Sequence, residues 1–286
     1  MPREYSITYT AENTYENWVH NAHWQFLIIP EENATQQYVS VGFSNSIGIP
    51  EQYSINGYGF KTIRVHPKVK FKNISFEASF KLIKSEVNPF DFQPENDIIL
   101  SFEKLQQVDF KVDFEPFLKQ TYFTSLPKLK VPIYQFDKKL SLFENAKALN
   151  EWIFYYIHFK TGVTDVQTTL QTIMKEKQGV CQDFTHFFCA LARNNGVPAR
   201  YVSGYLHQGS GYFGDSQMHA WAEVYIQALG WVGFDPTNNL LANENHIKVA
   251  HGKDYPDCAP LKGVLYSQGK NETSHAVKVD SRQQQQ

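Results

Sequence analysis

Ile74, Phe76, Ala78, Phe80 and Leu82 alternate with Ser75, Glu77, Ser79 and Lys81. This period of two puts apolar side chains on one face of a strand and polar ones on the other. Trp24 to Ile29 is a second apolar run, closed by Pro30; Tyr38 to Phe43 leads into Ser and Asn; Phe60 to Val65 follows the turn signal Asn56-Gly57. Short strands at this spacing predict an antiparallel β-sandwich up to about residue 87. From Asn88 to Phe136 the pattern loosens. Pro89, Pro94, Pro116, Pro127 and Pro132 interrupt short aromatic and charged stretches, as in a connector that packs rather than a flexible linker.

The period then becomes helical. Ser141 with Glu144 is a capping-box signature, and Leu142, Ala146, Leu149, Ile153 and Ile157 recur at helical spacing until Gly162. Thr168 with Gln171 repeats the cap and predicts a second helix to about Gln178, stopped by Gly179. A third helix, from Cys181 or Gln182 to Asn194, ends at Gly196 with Pro198 shortly after. Arg200 to Leu206 reads as a strand, His207 to Gln217 as a Gly/Ser-rich loop, and His219 to Ile226 with Trp231 to Phe234 as a hairpin. Helices followed by strands favour an α+β fold over βαβ repetition. The expected division is residues 1–125, sandwich plus connector, and 126–286, the domain that carries the chemistry. Gln283 to Gln286 reads as a disordered polar tail.

Composition narrows the class. Lys and Arg number 27 against 29 Asp and Glu, a net charge of −2, so there is no basic field to hold phosphate backbones, and nucleic acid is not an expected partner. A hydrophobic content of 42% with 20% charged residues is that of a globular chain. Three cysteines, Cys181, Cys189 and Cys258, are too few and odd in number for a disulfide framework. The N-terminal stretch lacks the apolar core of a signal peptide, and no apolar run approaches the roughly 20 residues that cross a bilayer. The expectation is a soluble, cytoplasmic protein with no membrane partner, in which the sequons at Asn33, Asn73 and Asn271 are chance matches. The oligomeric state is not specified.

Cys181, in Gly179-Val180-Cys181-Gln182-Asp183, falls where one helix stops and another starts. A thiol in the first turn of a helix faces unpaired N–H groups and the positive end of the macrodipole, and both favour thiolate. A buried, space-filling role is the usual fate of a free cysteine, but the stop-and-restart context favours chemistry. The thiol needs a base and the base an orienting partner. His219 opens one hairpin strand and Asp235 closes the other. They share a face if the connection has odd length, for example with Tyr225 opposite Trp231, which sets Asp235 one diagonal step from His219 at roughly 7 Å between Cα atoms. Taken singly, a histidine at a strand start and an Asp before Pro are ordinary features.

Gln182 and Asp183 flank the thiol and are candidate substrate-binding residues, as are Tyr212 and Trp221, although Asp183 suits the first helical turn equally well as a stabilising acid. Tyr212, in Gly209-Ser210-Gly211-Tyr212-Phe213-Gly214, belongs to a candidate lid, and Trp221 to a hairpin core or cleft wall. His186 and Cys189 invite a zinc site with Cys181 and His219. At 100° per residue, however, His186 points about 140° away from Cys181, so no metal and no cofactor are expected.

The segments Gly179-Val180-Cys181-Gln182-Asp183-Phe184-Thr185-His186, Gly196 to Leu206, His219-Ala220-Trp221-Ala222-Glu223-Val224, Trp231 to Asn238, His246 to Ala250 and Gly252-Lys253-Asp254-Tyr255 resemble successive motifs of bacterial transglutaminase-like proteins, predicted cysteine proteases. With the β-rich first third, which matches loosely, the resemblance spans nearly the whole chain. It implies a papain-like core with Cys181 as nucleophile, His219 as base and Asp235 as orienter. Thr185 and Lys253 stand where Ala and Arg are usual, and neither change touches that chemistry. The implied function is cleavage of peptide-like amides in a peptide or protein substrate through a thioester. Hydrolysis is favoured over transfer to an amine because no acidic loop of calcium-site spacing is present. A transglutaminase and a non-catalytic peptide-binding module are the alternatives.

Overall fold

Alternating burial in the first third of the chain builds two sheets that share one core. In the computed structural model, which describes residues 2–88, 90, 98–127, 133–207, 212–213, 216–227 and 229–283, the strands β1 (Arg3–Val19), β2 (Asn21–Phe26), β3 (Gln36–Asn45), β4 (Gln52–Ile55), β5 (Lys61–Val65) and β6 (Phe71–Lys84) succeed one another. β6 buries Ile74, Phe76, Ala78, Phe80 and Leu82 and exposes Glu77, Ser79 and Lys81, the pattern its sequence dictates. β1 repeats it with Tyr5, Ile7, Tyr9 and Ala11. The two sheets meet through aromatic rings. Trp24 and Phe26 of β2 lie edge-on against Phe76 of β6, at centroid distances of 5.2 and 4.8 Å.

The connector forms three short helices in the described residues, α1 (Ile98–Lys104), α2 (Val108–Asp113) and α3 (Glu115–Leu118). Pro116 is accommodated in the first turn of α3, where its missing N–H costs nothing. Pro89, Pro94 and Pro132 lie outside the described residues.

The capping box at Ser141 forms. Its Oγ accepts the Glu144 N–H at 3.1 Å, and the Glu144 carboxylate accepts the Ser141 N–H at 2.9 Å. α4 (Leu142–Tyr156) then ends well before Gly162, because β7 (His158–Phe159) leaves to pair in parallel with β8 (Gln178–Gly179). The cap read at Thr168 does not form. Thr168 Oγ accepts the Asp165 N–H instead, and α5 (Leu170–Glu176) starts after Thr169.

α6 (Cys181–Asn194) packs on the sheet β12-β11-β10-β9-β13, made of β9 (Ala199–Leu206), β10 (His219–Ile226), β11 (Gly230–Asp235), β12 (Leu240–Leu241) and β13 (His246–Gly252). Gly196, at φ +76°, supplies the left-handed residue that turns the chain from α6 toward β9. The fold is thus α+β, with a sandwich preceding the helix-and-sheet core.

After α7 (Tyr255–Cys258) the chain returns to the sandwich. β14 (Leu261–Tyr266) pairs with β2, and β15 (Asn271–Gln283) pairs with β1 along thirteen residues. The sandwich sheets are therefore β15-β1-β6-β3 and β14-β2-β5-β4. A division at residue 125 separates strands of the same sheet. The sequence divides the chain by its order, whereas the open edges of β1 and β2 are paired by its last segment. Of the tail read at Gln283 to Gln286, Gln283 instead ends β15 opposite Arg3, and Gln284 to Gln286 lie outside the described residues.

Hydrogen bonds join the sandwich to the core. Tyr205 Oη donates to the Ile28 carbonyl at 2.6 Å, and Tyr5 Oη to that of Glu244 at 3.0 Å. Gln36 donates to the Lys248 carbonyl at 2.7 Å and accepts the Lys248 N–H at 3.1 Å. Buried Lys84, whose pKa is lowered to about 8 by burial, donates to the carbonyl of His246.

Candidate active site

Helix α6 begins at Cys181, and its first turn is fixed from both sides. The Asp183 carboxylate accepts the Val180 N–H at 2.8 Å and the Thr164 hydroxyl at 2.7 Å. Gly179 allows this close approach, since a Cβ there would lie 2.6 Å from Asp183 Oδ2. Burial raises the Asp183 pKa to about 6, although both hydrogen bonds oppose the shift. Asp183 is therefore a capping and tethering group, while Cys181 stays half-buried beside a cavity of about 260 Å³ that it lines with Gln182 and His219.

The hairpin pairs Tyr225 with Trp231, the odd-length connection that puts His219 and Asp235 on one face. His219 Nε2 donates to Asp235 Oδ2 at 2.8 Å, and both residues are buried. His219 Nδ1 makes no hydrogen bond to nitrogen or oxygen among the described residues. Burial alone would lower the His219 pKa. The charge and hydrogen bond of Asp235, followed by the Cys181 sulfur, outweigh it and raise the value to about 10. Asp235 is held far below the usual carboxylate range: burial would raise it, but His219 and His246 outweigh burial. The arrangement is a thiol at a helix N-terminus, an imidazole held as a cation beside it, and a carboxylate behind the imidazole.

Asp235 has more partners than the sequence indicated. Its Oδ2 also accepts from His246 Nε2 at 3.2 Å and Asn238 Nδ2 at 2.8 Å, and its Oδ1 accepts the N–H groups of Thr237 and Asn238 at 3.1 and 3.3 Å. Burial, only partly opposed by Asp235, lowers the His246 pKa, so the ring is neutral with its proton on Nε2. His246, Asn238 and Thr237 escaped the sequence reading as partners of Asp235; no strand or helix period connects β13 to the end of β11. His219, Asp235 and His246 offer metal-ligand atoms within 4.8 Å of one another. Those atoms are already joined by hydrogen bonds.

Of the four expected substrate contacts, Gln182 lines the cavity, whereas Asp183, Tyr212 and Trp221 do not. Trp221 is 1% exposed and stacks beneath His219 at 6.3 Å, with its edge on His246 at 5.3 Å. The cavity lies at the start of β10, and two residues further on the strand is already inside the core. Tyr212 is exposed and does not line the cavity. Its neighbour Phe213 stacks on Phe159 at 4.3 Å. Gln208 to Gly211, Gly214 and Asp215, the rest of the expected lid, lie outside the described residues. Cys189 and Cys258 are buried, and burial pushes the Cys189 thiol up to about 11.

His186 turns away from the thiol, and its Nε2 accepts the Tyr255 N–H at 3.0 Å. Burial, reinforced by the Arg193 charge, lowers its pKa from 6.5 to about 3. On acidification the unfolded chain takes up this proton before the native chain does. The contribution of His186 is complete above about pH 6.5 and is lost as the pH falls toward 3. Urea unfolding between pH 6 and pH 4 should therefore lose up to about 1.4 kcal/mol per pH unit through this residue. His186→Gln, whose amide oxygen can still accept from Tyr255, should show a correspondingly shallower slope.

Comparison with known proteins places residues 130–236 within the model of the transglutaminase-like superfamily. An uncharacterised protein of Mycobacterium bovis is 36% identical over 145 residues, 48% of this chain and 46% of its own length. One from Mycobacterium leprae is 35% identical over 136 residues, 46% of this chain and 48% of its own. The matched segment thus spans about half the length of these curated relatives. Among solved structures, a "putative cysteine protease" from Cytophaga hutchinsonii superposes with a TM-score of 0.70 at 20% identity, covering 100% of this chain and 92% of the other. That likeness extends the shared fold to the sandwich.

Proposed function

We infer that this chain, whose residues 130–236 match the transglutaminase-like superfamily, is a cysteine-dependent hydrolase that cleaves peptide-like amides with Cys181, His219 and Asp235. One observation carries this reading. The His219 ring binds Asp235 through Nε2, leaving Nδ1 free for the thiol at the first residue of α6. Cys181 sulfur attacks the amide carbonyl while the Cys181 N–H, in the first turn of α6, donates to the developing oxyanion. The C–N bond breaks as His219 passes its Nδ1 proton to the leaving nitrogen, and a thioester remains. His219 then takes a proton from water, whose oxygen attacks the thioester. The C–S bond breaks, releasing a carboxylic acid and restoring the thiolate. The substrate is proposed to be a cytoplasmic peptide or protein.

Iodoacetamide should alkylate Cys181 at pH 6 faster than it alkylates glutathione, and His219→Ala should slow that reaction by at least about tenfold. Peptide mapping by mass spectrometry assigns the site. Incubation of peptide mixtures with wild type and Cys181→Ala then identifies the acceptor: new termini mean hydrolysis, and incorporated amine means transfer. Alkylation no faster than glutathione, and unaffected by His219→Ala, would overturn the reading in favour of a binding module.

A further inference from the structure

Ser203 lies on β9 opposite Ala220 of β10. It is only 5% exposed, and its Oγ has no hydrogen-bond partner among the described residues. A buried hydroxyl left unpaired is unfavourable, and natural structures rarely tolerate one without a reason. Ser203 lines the cavity that contains Cys181 and His219, so a molecule entering that cavity can satisfy it. Tyr205, two residues further on the same face of β9, reaches the sandwich at Ile28. This face of the core sheet is therefore where the two parts of the fold meet.

The sandwich also contributes to the cavity. Tyr9 of β1 and His275 of β15 both line it, with Tyr9 Oη 3.0 Å from His275 Nδ1. Tyr201 and Tyr255 add aromatic surface. Among the described residues the lining includes no lysine or arginine; its one cation, His219, is already committed to Asp235, and its one carboxylate is Asp165. A substrate carboxylate would lose its hydration here, meet no fixed positive side chain of that kind, and face Asp165. A neutral side chain with one polar group would pair with the hydroxyl of Ser203 and pack on the rings.

We propose that Ser203, Tyr9 and His275 form a substrate subsite beside Cys181, shared between core and sandwich, which takes an uncharged side chain bearing a hydroxyl next to the bond that is cleaved. The subsite rests on the hydrolase reading and extends it: the sandwich selects substrate, so its first and last strands are part of the active site.

N-acetyl aminoacyl chloromethyl ketones test this without knowledge of the natural substrate, because Cys181 displaces chloride and becomes alkylated at a rate that reports side-chain fit. The panel compares tyrosyl with phenylalanyl, threonyl with valyl, and an aspartyl reagent. Each rate is divided by the same variant's iodoacetamide rate. The hydroxyl-bearing member of at least one pair should react about five- to tenfold faster than its partner, and the aspartyl reagent should be slowest. Ser203→Ala should bring the paired ratio close to one, and Tyr9→Phe should reduce it. A ratio unchanged in Ser203→Ala, or an aspartyl reagent that reacts fastest, overturns the subsite. Prompt iodoacetamide labelling without side-chain preference overturns the subsite alone. Failure of iodoacetamide to single out Cys181 overturns the hydrolase reading and the subsite together.

Discussion

Asp235→Asn is expected to lower kcat/KM for a peptide amide by about 10³–10⁴-fold, a loss of the size seen when a triad carboxylate becomes an amide. The reason lies in the five donors that surround the carboxylate: His219 Nε2, His246 Nε2, Asn238 Nδ2 and two backbone N–H groups. An ionised carboxylate accepts them all. An amide has one accepting and one donating end, so either orientation sets an NH₂ group against at least two donors in a site that excludes water. If the NH₂ faces His219, the ring must accept through Nε2 and carry its proton on Nδ1, and it can no longer take a proton from the thiol. Loss of the negative charge also removes the main force that raises the His219 pKa toward 10. The pH profile of Cys181 alkylation should therefore change shape, which a purely structural defect would not produce. His246→Leu withdraws one donor and leaves the charge. A hydrogen bond to a charged group is worth about 1.5–3 kcal/mol, so the expected loss is about ten- to hundredfold. Equal effects of the two substitutions on the profile would show that Asp235 acts only as packing.

The arrangement explains why Cys181, His219 and Asp235, the proposed thiol, base and orienter, could be singled out in the sequence while the groups around them could not. The family resemblance supplies their roles; Cys181 itself stands at a helix break, and His219 and Asp235 on a hairpin that brings them to one face only if its connection has odd length. These are local rules, and each is visible within a few residues. His246 meets Asp235 only because β13 joins the sheet on the far side of β9, a long-range pairing that no local period encodes. The same holds for the sandwich. Its first strands could be read from alternation, but β15 exposes most of its side chains and so shows no clear apolar stripe. Its placement comes from the unpaired edge of β1. The two readings of Trp221, hairpin core or cleft wall, stay open in the sequence for the opposite reason: β10 is buried along most of its length, so alternation does not say which residues reach the cavity and which lie behind it.

Removal of residues 261–286 should abolish the native fold even though every proposed catalytic residue remains. β15 supplies the edge of one sandwich sheet through thirteen registered residues on β1, and β14 supplies the edge of the other through six on β2. Without them two edges are left open, one along the longest strand of the fold, with unpaired N–H and carbonyl groups ready to pair with another chain. Tyr9, Trp24 and Phe26, now at 0–2% exposure, would lie on those edge strands. The truncated chain is expected to elute as aggregate in size-exclusion chromatography and to lose the cooperative thermal transition followed by near-UV circular dichroism. Its Cys181 should then react with iodoacetamide no faster than glutathione, because Lys84 of the sandwich no longer holds the His246 carbonyl and the donors around Asp235 are released. A monomeric truncated chain with a sharp transition and wild-type alkylation would show instead that the core folds and positions its triad alone, and that the last two strands serve only the sandwich.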